Sequence, residues 1–595
     1  MSRLNLKPTR KPSPDEKIEI TVRVQPGRGR NEMLDLDSLC QPRSRRRQMV
    51  KEDFYEAFKA DEEAFASVKR FAAENNLESI NEDLRKRTIH LSGTISNMER
   101  AFNTSLNYYE VKDKMDGRKQ EIISHDEEII IPEVLKGVVE NIIGLSNTPF
   151  STSGVISKNL KSASKKLKSA SKKPKSVSKK LKSASKKPKS AGKKRKSASK
   201  KPKSTGKKRK SASKKSKSAK STRRPGGYTG NQYAEFYNFP SDQTGGGQKI
   251  ALIQLGGGFR KKDIDHYFSK LAKIPKPTIN VHSVLHATNN PRSRDLKANA
   301  EVTMDIEVAG SAAPGASLEV YFAPGTDRGL LEAIVAATHD GCPIISISWG
   351  DLEGTVSEQG KNAINNALQE AANLDSTVLC ASGDFGSTGP PPEIGEAPRD
   401  SVLNIQFPAS SPFALACGGT SVKIKDNKIQ SEKVWNAIWA FFKKRMASGG
   451  GFSKGFGSSF QNLRPIYQKG VLPSLYSDQL NRGTPDISAS AHPSRSGHLI
   501  RFQSKNEIGG GTSAAAPLLA ALFARINEKI GDQGFVNGTL YRLASKRKTY
   551  RQILKGNNVI IKGVNSWKAG AKWNPCTGLG TPNGKKVLAG LEAFT

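Results

Sequence analysis

The sequence predicts a small α/β unit followed by a large α/β domain whose parallel sheet is covered by helices on both faces. Three observations carry this prediction. Between residues 226 and 595, short apolar runs that read as buried strands alternate with helical periodicities, the pattern of a doubly covered parallel sheet. Residues 1–150 interleave strand-like and helical segments on a smaller scale, as in a split βαβ sandwich. Between them, residues 151–225 carry a lysine- and serine-rich block with no capacity to build a core.

In the first unit, Ile18–Val24 alternates as I-E-I-T-V-R-V, a strand signal. Asp61 to Asn76 sets Phe65, Val68, Phe71 and Ala72 at helical spacing, with Asp61, Glu62 and Glu63 in the first turn, where the helix dipole favours them. A strand is expected at Thr88–Leu91, a helix at Asn97–Phe102 and a further strand at Glu127–Ile131. A closing helix is expected from Pro132, since proline favours the first helical position.

Residues 160–215 form eight heptads of the pattern [LPR]-K-S-x-[SG]-K-K. The seven-residue period is not that of a coiled coil. The first position is proline at 174, 188 and 202 and arginine at 195 and 209, and the fourth is only alanine, valine or threonine, so no seam of large apolar residues runs along the repeats. With like charges and no aromatic residue, the block reads as a disordered tether.

In the second domain, buried strands are expected at Lys249–Leu255, Leu318–Phe322, Pro343–Ser348 and Ser376–Ala381. Helices are expected around Glu301–Ala312, Gly329–Thr338 and Lys361–Asn373.

Composition bounds the function. The chain has 595 residues, 35% of them hydrophobic, and a formal charge of +41. That length and apolar content exclude both a single small domain and a chain disordered throughout. Thirty-one basic residues and no acidic one fall within 151–224, so most of the excess charge belongs to one insert. Such a segment binds polyanions by phosphate neutralisation without reading sequence, or else serves as a solvated spacer. The five cysteines, Cys40, Cys342, Cys380, Cys417 and Cys576, form no CxxC or Cys/His cluster and support neither a disulfide scaffold nor a zinc module. No apolar stretch marks a secretory signal in the first residues, and none reaches the length of a membrane span. The expectation is a soluble, monomeric chain of unassigned compartment.

Chemistry concentrates in three places. Gly511-Thr512-Ser513-Ala514 opens an apolar helix, so Ser513 sits among free backbone N–H groups that favour developing negative charge. An N-cap serine in a glycine-rich turn explains the same residues. A nucleophilic serine needs a base. None of the eight histidines (His90, His125, His266, His282, His286, His339, His492, His498) lies in a stretch that marks one. Glu301 and Asp305 are four residues apart and share one face of a helix that is otherwise mostly apolar, an arrangement that like charges on a solvated face do not need. Asp384, in Ser382-Gly383-Asp384, follows a buried strand at the end where open α/β sheets bind ligands; a turn aspartate fits there too.

Taken together, Gly511-Thr512-Ser513-Ala-Ala-Ala-Pro517, Glu301-x-x-x-Asp305 and Ser382-Gly383-Asp384 resemble the sedolisins, the serine-carboxyl peptidases of subtilisin-like fold, and most of all their kumamolisin branch. Supporting stretches are Ile253-Gln-Leu-Gly-Gly-Gly258, Ile345-Ser-Ile-Ser-Trp-Gly350, Phe407-Pro-Ala-Ser-Ser-Pro412, Ala416-Cys-Gly-Gly-Thr420, Pro485-Asp-Ile487 and Trp573-Asn-Pro-Cys-Thr-Gly-Leu-Gly580. The resemblance implies a subtilisin-like sheet preceded by an inhibitory and chaperoning prodomain at 1–150, with 151–225 as the linker and 226–595 as the peptidase domain. It implies Ser513 as nucleophile, Glu301 as general base, Asp305 as the acid sharing a proton with Glu301, and Asp384 in the oxyanion hole. A carboxyl group donates to an oxyanion only while protonated, so activity is expected in acid, in an acidic compartment or the extracellular milieu.

Two departures qualify the resemblance. Family members commonly carry a glutamate where this chain has Gln254. The family's calcium site corresponds here to Gln552, Ile553, Gly570, Lys572 and Asn574, with neutral amides in place of both carboxylates. Calcium affinity depends on ligand charge, so a weak or empty site is expected, with Lys572 or a neighbour supplying the positive charge.

The functional expectation is a self-processing endopeptidase zymogen acting on protein or peptide substrates. The alternative is an inactive peptidase fold that binds nucleic acid or another polyanion through its lysine-rich linker.

Overall fold

A computed structural model describes residues 7–27, 33–46, 50–112, 119–150, 226–388, 405–439, 444–455, 464–493, 496–546, 548–561 and 566–594. The lysine-rich repeats, read above as a disordered tether, lie outside the described residues.

The N-terminal region is built on a four-stranded antiparallel sheet, in the order Glu78–Asp83, Thr88–Thr94, Lys17–Val24, Val139–Ile143. A second sheet of three strands joins Pro8–Arg10, Leu106–Lys112 and Lys119–His125. The helices Glu62–Glu74 and Ile95–Ala101 bury Phe65, Val68, Phe71 and Met98 against Ile20, Val22, Ile89 and Leu91 of the larger sheet. Asp61 stands at the N-cap of the first helix, and the Thr94 side chain caps the second by accepting from the Asn97 N–H.

Two expectations fail here. Glu127–Ile131 is irregular rather than a strand, and Pro132 opens only the single turn Glu133–Leu135. Gly137 then adopts a left-handed backbone, φ 74°, and the chain enters the strand Val139–Ile143, which pairs with Lys17–Val24. The run V-V-E-N-I-I is rich in β-branched residues that pack better on a sheet than in a helix.

The C-terminal domain is organised around an eight-stranded sheet. From one edge inwards it runs Ile279–Ser283, Ser317–Phe322, Lys249–Gln254, Ile344–Ile347, Thr377–Ala381 and Leu415–Lys425, all parallel. Leu415–Lys425 then pairs in parallel with Ile487–Ser490 and in antiparallel with Lys428–Val434. The central strands are buried throughout, as their continuous apolar runs require. Two helix pairs flank the sheet: Leu296–Ala312 with Thr512–Ile530, and Asp327–His339 with Glu358–Asn373. The expected strands and helices of this domain are all present, each within a few residues of its expected bounds.

The second helix pair receives the four-stranded sheet of the N-terminal region through buried polar contacts. Arg23 and Arg87 both reach Glu370, which also bonds His339 at 2.8 Å. The same two arginines hold Glu140 at 3.0 and 3.2 Å. One helix over, Glu332 accepts from Thr21 at 2.7 Å and lies 2.9 Å from His90, while Arg328 bonds Thr21 and Glu19. Glu19, Glu140, Glu332 and Glu370 thus each face a donor at this contact.

Candidate active site

The site forms where the first helix pair meets the carboxyl ends of the central strands. Every residue of Leu296–Ala312 is buried, including Glu301, Asp305 and Glu307. A helix buried on all sides carries carboxylates only if they are neutralised or hydrogen-bonded. Asp305 is bonded on both oxygens: Gln254 Nε2 donates to Oδ2 at 2.8 Å and Ser348 Oγ contacts Oδ1 at 3.0 Å. Burial outweighs these bonds and pushes its pKa up. Trp349 Nε1 donates to Gln254 Oε1 at 3.3 Å, which fixes the orientation of the amide and turns its NH2 towards Asp305. Gln254, the departure noted in the sequence, is therefore a donor to Asp305 at every pH.

Ser513 is the second residue of the long helix Thr512–Ile530, entered through Gly511 at φ 103°. Pro517 lies one turn on. It has no N–H, so the Ser513 carbonyl loses its i+4 helical donor. Ser348 Oγ fills the vacancy at 3.2 Å. The same hydroxyl thus links the backbone of Ser513 to the side chain of Asp305, and Ser513 Oγ lies 3.5 Å from the Ser348 carbonyl. Glu301 sits one helical turn before Asp305 on the face of a helix that packs against the helix of Ser513.

Asp384 follows the strand Thr377–Ala381 and is fully buried. Its Oδ1 accepts from both the backbone N–H and the hydroxyl of Thr512, each at 2.8 Å. Thr512 Oγ1 accepts in turn from the Gly383 N–H at 3.0 Å. Asp384 Oδ2 has no partner among the described residues. Burial pushes the pKa of Asp384 up to about 8 against the opposing bonds from Thr512. The carboxyl is thus held as an acid, with its second oxygen available to carry a proton beside the start of the Ser513 helix.

The structure brings Asp305, Ser513 and Asp384 into two connected clusters around one helix start and places Glu301 one turn before Asp305 on the same helix. It adds Ser348 and Thr512 as their connectors. Thr512 was legible only as part of a motif. Ser348 had one sequence signal, the proline four residues after Ser513, which leaves a carbonyl in need of an outside donor. Four of the eight histidines are engaged elsewhere: His90 with Glu332, His282 with Glu319, His339 with Glu370, and buried His498 with the Ser490 carbonyl. All five cysteines are buried and free.

The residues matching the calcium site do not fit the ion. Gln552 and Lys572 are exposed, and no group of three or more His, Cys, Asp or Glu with metal-binding geometry occurs among the described residues. Asn574 spends its side chain internally: Oδ1 accepts from the Cys576 N–H, the Thr577 N–H and the Thr577 hydroxyl, all at 3.1 Å. Its Nδ2 donates to the Gly570 carbonyl at 3.3 Å. The carbonyl in question is therefore served by an amide rather than by Lys572, and a hard divalent cation would find no charged ligand here.

Residues 5–148 match the family model described as the pro-kumamolisin activation domain, and residues 293–557 match that of the subtilase family. Kumamolisin of Bacillus sp. (strain MN-32) is 40% identical over 371 residues, covering 62% of this chain and 64% of that protein. Sedolisin of Pseudomonas sp. (strain 101) is 27% identical over 382 residues, 62% of each chain. Tripeptidyl-peptidase 1 of Dictyostelium discoideum is 29% identical over 313 residues, 49% of this chain and 47% of that protein. The chain thus spans less than two thirds of the length of these relatives. The solved structure of Pseudomonas sedolisin, a serine-carboxyl proteinase, covers 62% of this chain and 99% of its own with a TM-score of 0.54 at 24% identity, and shares the fold. With a subtilisin-like sheet, an activation-domain match ahead of it and this set of relatives, the chain is similar to the sedolisin peptidases over its C-terminal domain and to the pro-kumamolisin activation domain over its N-terminal region.

Proposed function

We propose that this chain is a serine-carboxyl endopeptidase made as a self-processing zymogen and active in acid. The single observation that carries the proposal is Asp384, a buried acid gripped on one oxygen by Thr512 and unpartnered on the other, set beside the helix start that bears Ser513. A neutral carboxyl there has one function that a structural aspartate lacks: it donates a hydrogen bond to an oxyanion.

In this reading Ser513 Oγ attacks the scissile carbonyl and passes its proton to Glu301, forming a tetrahedral intermediate whose oxyanion accepts from Asp384. Collapse of the intermediate gives the acyl-enzyme on Ser513 as the leaving amine takes the proton from Glu301. Water then repeats the sequence and releases the acid product. Asp305 holds Glu301 by sharing a proton, and Gln254 and Ser348 hold Asp305. No metal takes part in these steps.

The test is self-processing. Purified chain incubated below about pH 5, where free carboxyl groups begin to protonate, is expected to shorten to a fragment beginning near the end of the 151–225 linker. Ser513→Ala must abolish the cleavage. Equal shortening of the Ser513→Ala chain overturns the proposal.

The 31 positive charges within 151–224 favour one addition: the linker holds the zymogen on a polyanion. Retention on duplex DNA that weakens steeply with salt, and is lost on deleting 160–215, is the expected result.

A further inference from the structure

Between the strand Lys17–Val24 and the helix Glu62–Glu74, the prodomain sends out a segment that plays no part in its own sandwich. Its described residues, 33–46 and 50–58, form the helix Leu36–Leu39, the turn Arg43–Arg45 and the helix Lys51–Phe58. They lie on the peptidase domain, from the end of the helix Glu358–Asn373 to the C-terminal residues.

The contact is close and of a different chemical kind from that of the prodomain sheet. The Leu34 N–H donates to Asn373 Oδ1 at 2.7 Å, and Asn373 Nδ2 returns a bond to the Leu34 carbonyl. Arg46 donates to the Phe535 carbonyl at 2.6 Å, Arg542 donates to the Cys40 carbonyl at 2.7 Å, and Ser44 Oγ donates to the Phe594 carbonyl. Lys51 bonds the His339 carbonyl, and the Tyr55 ring stacks on His339 at 5.0 Å. Leu39, Cys40, Phe54, Tyr55 and Phe58 are buried. At Gly538 a Cβ would lie 2.6 Å from the Cys40 carbonyl oxygen and 2.8 Å from its Cα, so the two backbones touch.

We propose that residues 33–46 and 50–58 form a second, acid-resistant anchorage, by which a prodomain cut free at the linker stays bound to the peptidase domain. This rests on the zymogen reading above. The two footprints respond to acid differently because they are built from different groups. The sheet footprint carries two buried carboxylates, Glu332 and Glu370, beside neutral bonds such as those of Gln359 to Ile129 and Ile142. Burial alone would raise both carboxyls, yet Arg23 and Arg87 around Glu370, and His90, Thr21 and Arg328 around Glu332, hold them below the usual range. A group whose pKa falls on docking stabilises the docked state above its free pKa and loses that contribution as the pH drops.

In this second footprint, the cross-domain hydrogen bonds run from guanidinium, ammonium, hydroxyl and amide donors to carbonyls. None of these groups changes protonation between about pH 3 and 7. The titratable groups facing the segment are Asp375, Asp532, Asp340, Cys342, His339, Lys249, Arg542 and, behind Tyr55, Glu370 of the peptidase domain, and Arg85 of the prodomain. Its own are Asp35, Asp37, Cys40, Arg43, Arg45, Arg46, Lys51, Glu52, Asp53, Glu56 and Lys59. Arg43 reaches Asp375 at 3.9 Å in a partly exposed pair of small worth. Burial raises Asp375, so acid does not oppose docking there. Asp35 caps its own helix through Ser38 and makes no cross-domain bond.

The experiment uses the full chain with Ser513→Ala and a site for a sequence-specific protease placed in the linker, so that cutting needs no activity of the chain itself. After the cut, gel filtration at pH 7 and pH 4 reads whether the prodomain fragment travels with the peptidase domain. It is expected to co-elute at both pH values. Gly538→Leu, which drives a side chain into Cys40, and Arg46→Ala are each expected to lose the fragment at pH 4. Release from the unsubstituted chain at pH 4, or full retention there in both variants, overturns the proposal. A chain without peptidase activity would still give either answer, so this result and that of the self-processing test stand apart.

Discussion

Thr512 grips one oxygen of Asp384 twice, through its backbone N–H and its hydroxyl, each at 2.8 Å, and leaves the other oxygen to face the site. The residue beside the proposed nucleophile therefore sets the orientation of the proposed oxyanion donor.

Replacing Asp384 separates orientation from charge. Asp384→Ala is expected to lower kcat by about 10²–10³-fold, the usual cost of an oxyanion donor. Asp384→Asn keeps a donor that does not ionise. Since the wild-type carboxyl is pushed up to about 8, it loses its proton as the pH rises through that value. The ratio of kcat for Asp384→Asn to wild type should therefore rise with pH, read from profiles of both proteins on one peptide substrate.

Gln254→Glu tests the amide beside Asp305. The glutamine NH2 donates to Asp305 Oδ2 regardless of pH, whereas a glutamate there donates only while protonated and repels Asp305 once ionised. The alkaline limb of kcat/KM is expected to move to lower pH and to steepen, because one more group must hold its proton. An unchanged profile would mean that Gln254 does not act through Asp305.

Stability should report the prodomain contact. Glu370 sits below its free pKa when docked, so its contribution is complete above about pH 4.5 and fades as the pH falls through the docked value. Glu370→Gln leaves Arg23 and Arg87 buried with one carboxylate fewer, at a cost of about 3–5 kcal/mol at neutral pH. In the Ser513→Ala background, the gap in Tm between parent and variant should be widest at about pH 7 and shrink towards pH 3.

The C-terminal loop should be indifferent to chelators. Adding EDTA or calcium is expected to leave Tm and peptide hydrolysis unchanged. Asn574→Ala strips the acceptor from two backbone N–H groups and the Thr577 hydroxyl, and should destabilise by about 1–3 kcal/mol. A calcium-dependent rise in Tm would contradict the donor set described here.

The large domain was legible because its strands are buried on both faces and write themselves as apolar runs, as at Ile344–Ile347. The site residues were legible because their motifs are local. The segment 127–143 was not. The three isoleucines at 129–131 suggested a strand, but the Ile129 carbonyl accepts from Gln359 of the peptidase domain, Ile130 is exposed, and pairing begins only at Val139. That outcome depends on contacts more than a hundred residues away. Ser348 was missed for the same reason: its neighbours Asp305 and Ser513 are distant in the sequence, and only Pro517 hints that a carbonyl has been left open.

The proline also has an electrical meaning. A serine hydroxyl has one proton to give, and Ser348 faces two acceptors, the backbone of Ser513 and the carboxyl of Asp305. When the hydroxyl serves the backbone, Asp305 completes its own contact by donating, which requires it to be protonated. The open carbonyl at the head of the Ser513 helix thus biases where a proton rests two residues away in the network, and a single missing amide hydrogen becomes part of the acid–base wiring of the site.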